Sequence, residues 1–435
     1  MSRQPYLSAV NERVIVFDGA FGTFVQDLDL GPDDFGGASL EGCNEYLCIT
    51  RPDVIRQMHS AFLDVGVDVL ETASFGSFST VLSEYNISDK AYELNVEAAR
   101  LARETANDYE ASGKARYVAG SIGPGTKLPS LGHIRFAELR DAYIEQARGL
   151  IVGGADLFLI ETCMDLLQIK AAMIACRRAM VAEGREIPIQ VQVTMETTGR
   201  MLVGSEIGAA LTAISAMKPD VFGINCATGP AEMQEHLRHL SQNASMPISV
   251  LPNAGLPSIV DGRTHYDLTP AELAKFHHHH VNDLGIGIVG GCCGTTPAHL
   301  KAVVDAVSGM AAPKRTPIVE PSVASIYSSV PMVQDKSFLI IGERTNTNGS
   351  KAFRDAMIAG DWDNCSKIAT EQIREGAHVL DVCVDYVGRD GAIDMDEIAS
   401  RFATQASVPL VLDSTEPQVL EAGLMHIGGR AILNS

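Results

Sequence analysis

The chain is short of basic side chains: 34 Lys and Arg stand against 54 Asp and Glu in 435 residues, a formal net charge of −20. A surface this acidic repels phosphate backbones, so nucleic acid is not an expected partner. No apolar run reaches the roughly 20 residues that span a bilayer, and no membrane partner is expected either. The N-terminus, MSRQPYLSAVNERVIVFDG, lacks the charged-then-apolar order of a signal peptide. These absences predict a cytoplasmic protein. The nine cysteines are odd in number and two are adjacent. That argues against a disulfide framework and for metal binding or reactive thiols. No GxGxxG loop follows the first apolar run, which weakens a dinucleotide-binding reading.

What is present is a repeated alternation. Short β-branched runs occur at 14–19, 67–75, 116–124, 156–163, 188–195, 219–226, 247–255 and 286–294. Longer helical patterns lie between them, such as 53–65, 136–152, 166–182 and 270–284. Thr296 suits a helix cap, and Pro297 the first position of that helix. Eight such units predict an α/β fold, a closed (β/α)8 TIM barrel over residues 1–308. An open doubly wound sheet is the alternative. Residues 309–336 are rich in proline and small residues without a clear period and read as a linker. The alternation then restarts over 337–435 with four runs, FLIIGER, HVLDVCVD, PLVLDS and AILNS. This predicts an incomplete second (half) TIM barrel, and hence a fragment of a longer protein.

Active sites of such barrels form at the C-terminal ends of the strands. Those ends carry Asp18, Glu71, Ser121, Glu161, Thr194, Cys226, Asn253 and the pair Cys292–Cys293. Strands six and eight flank strand seven, so three thiols converge. Gly290, Gly291 and Gly294 give the backbone freedom to turn both vicinal side chains inward. Three thiolates suit zinc and leave its fourth tetrahedral position open. A thiol substrate entering that position is deprotonated and becomes a nucleophile. Asp18 and Glu161 suit an α-ammonium group, and the backbone of the Gly19–Gly22 turn suits a carboxylate. The bland alternatives are helix capping for the acids and buried small hydrophobes for Cys43, Cys48, Cys163, Cys176, Cys365 and Cys383. The run His277–His280 is expected to form a partly solvated helix face without a catalytic role.

The motifs DGAFGT (18–23), ETASF (71–75), SIGP (121–124), ETCMD (161–165), GINC (223–226) and GGCCGTTP (290–297) resemble the cobalamin-dependent methionine synthase family. GINC with GGCCGT also marks the wider homocysteine S-methyltransferase superfamily, including enzymes that use betaine or S-methylmethionine. The resemblance implies that Cys226, Cys292 and Cys293 hold Zn2+ and that the zinc binds homocysteine, with Asp18, Gly19, Ser121 and Glu161 around the substrate. GERTN (342–346), LDVCVD (380–385), LVLDS (410–414) and AILNS (431–435) look like the start of a pterin-binding barrel. That implies Asn346, Asp381, Asp413 and Asn434 as pterin ligands and 5-methyltetrahydrofolate as methyl source. Cys383 departs from the Asn that the family often carries there. Methylcobalamin, the family's donor to homocysteine, is expected on a cobalamin-binding domain of the full-length enzyme that this chain lacks. Two other functions stay open: a self-sufficient methyltransferase using S-methylmethionine or betaine, and a non-catalytic zinc-stabilised binding module.

Overall fold

The computed structural model describes residues 3–110, 113–260 and 263–435. Eight parallel strands form the first sheet: β1 (Ile15–Val16), β2 (Val69–Glu71), β3 (Tyr117–Ile122), β4 (Leu157–Cys163), β5 (Ile189–Val193), β6 (Val221–Asn225), β7 (Ile248–Leu251) and, after an intervening hairpin, β10 (Ile288–Val289). The hairpin is β8 (Pro257–Val260) with β9 (Arg263–Tyr266). The sheet runs in chain order from β2 through β7 to β10 and then β1. It closes on itself through one bridge, Phe17 to Val69, supported by Asp18 N–H donating to Val69 O at 3.0 Å and Asp68 N–H to Val16 O at 2.7 Å. All eight expected strands are present, and the closed barrel stands over the open sheet.

Side chains alternate along each strand between the barrel interior and the layer under the helices. Ile15 and Phe17 point into an inner cluster with Leu157, Leu159, Val221 and Ile288, while Val16 joins the outer cluster with Phe62, Phe158 and Phe222. The helix Tyr6–Glu12 plugs the N-terminal end. Its Tyr6 is buried in the inner cluster and donates its hydroxyl to Gln190 Oε1 at 2.8 Å. The C-terminal strand ends are thereby left as the open end.

The second sheet is parallel and runs β13 (Ile341–Gly342), β14 (Val379–Val382), β15 (Leu410–Asp413), β16 (Ile432–Asn434), with its own core around Phe353, Met395, Ile398 and Phe402. Residues 309–336 are more ordered than their composition suggests. They contain an antiparallel hairpin, β11 (Ser322–Ala324) with β12 (Ser329–Pro331), in which Val323 and Ala324 are buried. Tyr327 at its tip joins the two sheets' layers: its carbonyl accepts Glu206 N–H, and its hydroxyl donates to Thr404 O at 2.6 Å. Lys170, on the barrel helix Leu166–Glu183, donates to Leu424 O (2.5 Å) and Ile427 O (3.2 Å) at the end of the helix Pro417–Leu424. Among the described residues no helix is long and apolar enough to cross a membrane.

The histidine run is partly solvated, as expected, but it also has a buried face. His278 is exposed, but His277 and His280 are fully buried. A spacing of three puts these two on one helix face, and that face turns toward the barrel.

Candidate metal and substrate site

Cys226 follows β6, and Cys292 and Cys293 follow β10. Their sulfurs all lie within 4.8 Å of one another, and Cys226 Sγ is 3.7 Å from Cys293 Sγ. Two sulfurs on one tetrahedral zinc at about 2.3 Å stand about 3.8 Å apart, so the donor set fits the ion. The backbone is bent to make this convergence. Cys226 (φ 56) and Ala227 (φ 60) are both left-handed without being glycine, as is the β-branched Thr162 (φ 57) after Glu161. Each costs about 1–3 kcal/mol and persists only where its surroundings fix it. Asn225 fixes Thr162. Its Oδ1 accepts Thr162 N–H at 2.8 Å, and its Nδ2 donates to Thr162 Oγ1 at 2.9 Å and Glu161 Oε2 at 3.0 Å. Gly294 has φ +78, and a Cβ there would fall 2.3 Å from the ring of Tyr266. Tyr266 thus packs over the thiol loop, and hydrogen bonds from Cys226, Cys292 and Tyr266 pull the Cys293 thiol down to about 3. The Cys292 thiol is pushed up by its bonding to Cys226 and Cys293 and by burial. The other six cysteines are buried and stand apart from the trio.

The thiols border a cavity of about 260 Å³. Gly19, Glu71, Ser121 and Glu161 also line it. Ser121 Oγ donates to Glu161 Oε1 at 2.6 Å. Asp18 is not on the wall: it is 1% exposed, and its carboxylate accepts the Glu71 N–H at 3.1 Å. Glu71 takes the wall position, with Oε1 buried and without a partner among the described residues. Burial raises the carboxyl of Glu161 to about 7. It raises Glu71 and Asp18 too, with the negative charge of Glu161 adding to both. Three crowded acids of this kind are relieved by an incoming cation. Asn253, just after β7, has a buried Oδ1 without a partner among the described residues, and the neighbouring Ala254 N–H donates to Cys293 O. Sequence reasoning placed Glu71 and Asn253 at strand ends without giving them roles, and it passed over Asn225 and Tyr266. The one signal for Asn225 was its place beside Cys226 in GINC.

The second sheet gathers its four expected residues. Asn346 Nδ2 donates to Asp381 Oδ2 at 2.8 Å and to Asp413 Oδ2 at 3.4 Å, and Asn434 Nδ2 donates to Asp413 Oδ1 at 2.9 Å. Asn348 Nδ2 lies 3.8 Å from Cys383 Sγ, beside this group. Burial raises the Asp381 carboxyl, with Asp413 adding to the effect.

The family model described as homocysteine S-methyltransferase matches residues 15–307, and the one described as pterin binding enzyme matches 342–435. The chain is 53% identical over 429 residues to the methionine synthase of Mycobacterium tuberculosis and 52% identical over 434 residues to that of Mycobacterium leprae. Each comparison covers 99% of this chain and 36% of the relative, so the chain spans about a third of those proteins' length. Among solved structures, the homocysteine methyltransferase MmuM from Escherichia coli in its metallated form is similar with a TM-score of 0.54 at 21% identity. That likeness covers 67% of this chain and 95% of MmuM, and it speaks for the fold. The chain belongs to the homocysteine S-methyltransferase family.

Proposed function

We propose that residues 1–308 form a homocysteine-binding barrel in which Cys226, Cys292 and Cys293 hold zinc, joined through 309–336 to a pterin-binding part over 337–435. The observation that carries this reading is the 3.7 Å separation of Cys226 and Cys293 sulfurs at the wall of a cavity lined by carboxylates. Zinc held by three thiolates supplies an open position where a substrate thiol is kept deprotonated and nucleophilic. Glu161 receives the substrate ammonium, with Glu71 beside it and Asp18 holding the Glu71 backbone from behind. Ser121 fixes the Glu161 carboxylate, and backbone N–H groups from Gly19 onward face the substrate carboxylate. Phe21 and Phe75 supply apolar wall to the same cavity.

The reaction is methyl transfer to the homocysteine sulfur, giving methionine. Methylcobalamin is the donor, presented by a cobalamin-binding domain of the full-length enzyme. Asn346, Asp381, Asp413 and Asn434 would hold 5-methyltetrahydrofolate, which would supply the methyl group for that donor. A pterin edge alternates donors and acceptors, which Asp and Asn side chains match. A cytoplasmic location suits this chemistry.

The test is methionine formation from homocysteine, with free methylcobalamin or S-methylmethionine in parallel. Turnover with methylcobalamin alone supports the proposal; turnover with S-methylmethionine makes the chain a self-sufficient methyltransferase. Cys226→Ser should lose most bound metal and nearly all turnover. Cobalt substituted at the site should change its absorption when homocysteine is added. An unchanged spectrum points to a non-catalytic metal.

A further inference from the structure

The two loops that carry the thiols come from strands separated by β7, and only close control of their spacing lets three sulfurs meet. Behind them lies a row of buried and half-buried polar groups. Gln234 Nε2 reaches Pro230 O at 3.2 Å and His280 Nε2 at 2.8 Å. His280 Nδ1 is 3.4 Å from His277 Nδ1, and His277 Nε2 is 2.7 Å from Gly290 O. Pro230 lies four residues after Cys226, and Gly290 two before Cys292. The row therefore runs from one thiol loop to the other.

Elementary donor and acceptor counting fixes its direction. Gly290 O only accepts, so His277 carries its proton on Nε2. A neutral His277 then offers a lone pair at Nδ1, and His280 must donate to it from its own Nδ1. His280 Nε2 is thereby an acceptor, filled by one N–H of Gln234, whose other N–H goes to Pro230 O. Every polar atom along the path has one partner of the right kind. Burial independently disfavours the charged form of both rings, bringing His277 to about 4 and His280 well below its usual range.

We propose that Gln234, His280 and His277 are positioning residues: a hydrogen-bond chain, donated outward in both directions from the Gln234 amide, that ties the Cys226 loop to the Cys292–Cys293 loop and sets their spacing for the metal. This rests on the zinc reading above. The chain works only with opposite tautomers on its two histidines, a demand that ordinary core packing does not make. It also explains why two of four consecutive histidines are buried.

Long-range 1H–15N NMR on the 15N-labelled full chain reads the tautomers directly, with His277→Gln and His280→Gln assigning the signals. The expected result at pH 7 is a proton on Nε2 of His277 and on Nδ1 of His280, with or without zinc. Either ring in the other tautomer, or doubly protonated, overturns the proposal. Zinc release to a chromophoric chelator gives the second reading. His277→Leu and the half-buried Gln234→Leu should release zinc about tenfold faster, in line with outer-shell effects on metal affinity. His277→Gln keeps a donor for Gly290 O and should stay within about threefold of the parent. Parent-like release from both leucine variants removes the positioning role. If His277→Leu does not fold, Gln234→Leu and the tautomers decide. A parent chain that takes up no zinc sinks the metal reading, while the tautomers still test the chain.

Discussion

His59 is the plainest case of a side chain that limits the conditions under which this protein is stable. It is completely buried on the helix Pro52–Asp64, and neither ring nitrogen has a partner among the described residues. Burial lowers it from 6.5 to about 3. Its folded value lies below its unfolded one, so its contribution is full above pH 6.5 and is lost as pH falls toward 3. The slope reaches at most about 1.4 kcal/mol per pH unit. Urea unfolding of His59→Leu should show a flatter pH dependence than the parent between pH 6.5 and 4; parallel curves would remove His59 as the cause. At this scale the thiols were legible because vicinal cysteines in a glycine-rich strand end have few ordinary uses. The division of labour between Asp18 and Glu71 was not. Both close a strand, and only the tertiary packing decides which carboxylate reaches the cavity and which is spent on a backbone N–H. Asn225 was equally hidden, since its role depends on a neighbour 63 positions away.

Among the elements, β6 is the most tightly specified. A Cβ on Gly223 would lie 2.1 Å from Ser249 O on the adjacent strand β7, a backbone atom that cannot swing aside. Gly223→Ala should therefore destabilise the barrel by about 3 kcal/mol, at the upper end of ordinary overpacking. Its denaturation midpoint should fall accordingly, and thiol alkylation in the metal-free chain should speed up as β6 shifts. A parent-like midpoint would mean that β7 yields freely. The eight barrel strands were readable from their apolar runs because each is buried on both faces. The β8–β9 hairpin was not read, although an Asp-Gly dipeptide between two β-prone runs is a known hairpin signal. Its importance comes from Tyr266, which it delivers over Gly294. The β11–β12 hairpin was masked by prolines that end its strands rather than break them.

For the whole molecule, the two sheets differ in how well they are enclosed. The barrel has no free edge, whereas β13 and β16 each pair on one side only. Phe338, Ile340 and Ile341 near one edge and Leu433 at the other are exposed. Limited proteolysis should cut within 338–435 before it cuts the barrel, and Lys170→Met should hasten that cut by removing a tie to the helix Pro417–Leu424. First cleavage inside the barrel would reverse this order of stability. The sequence carried the division into two alternating segments, but it held no hint that Lys170 and Tyr327 fasten them together. Those contacts join backbone carbonyls to side chains from distant elements, and carbonyls leave no trace in composition.

The barrel's seam has one more implication. β1 and β10 contribute only two paired residues each, and one bridge joins β1 to β2, while β3 to β6 run for five to seven residues. Cys226 therefore hangs from the stiff side of the ring, and Cys292 and Cys293 from the compliant side. The site is built like a vice, with one jaw on long strands and the other on short ones. On the metal reading proposed above, a fourth sulfur is accommodated on the side of the ring with the fewest strand pairings.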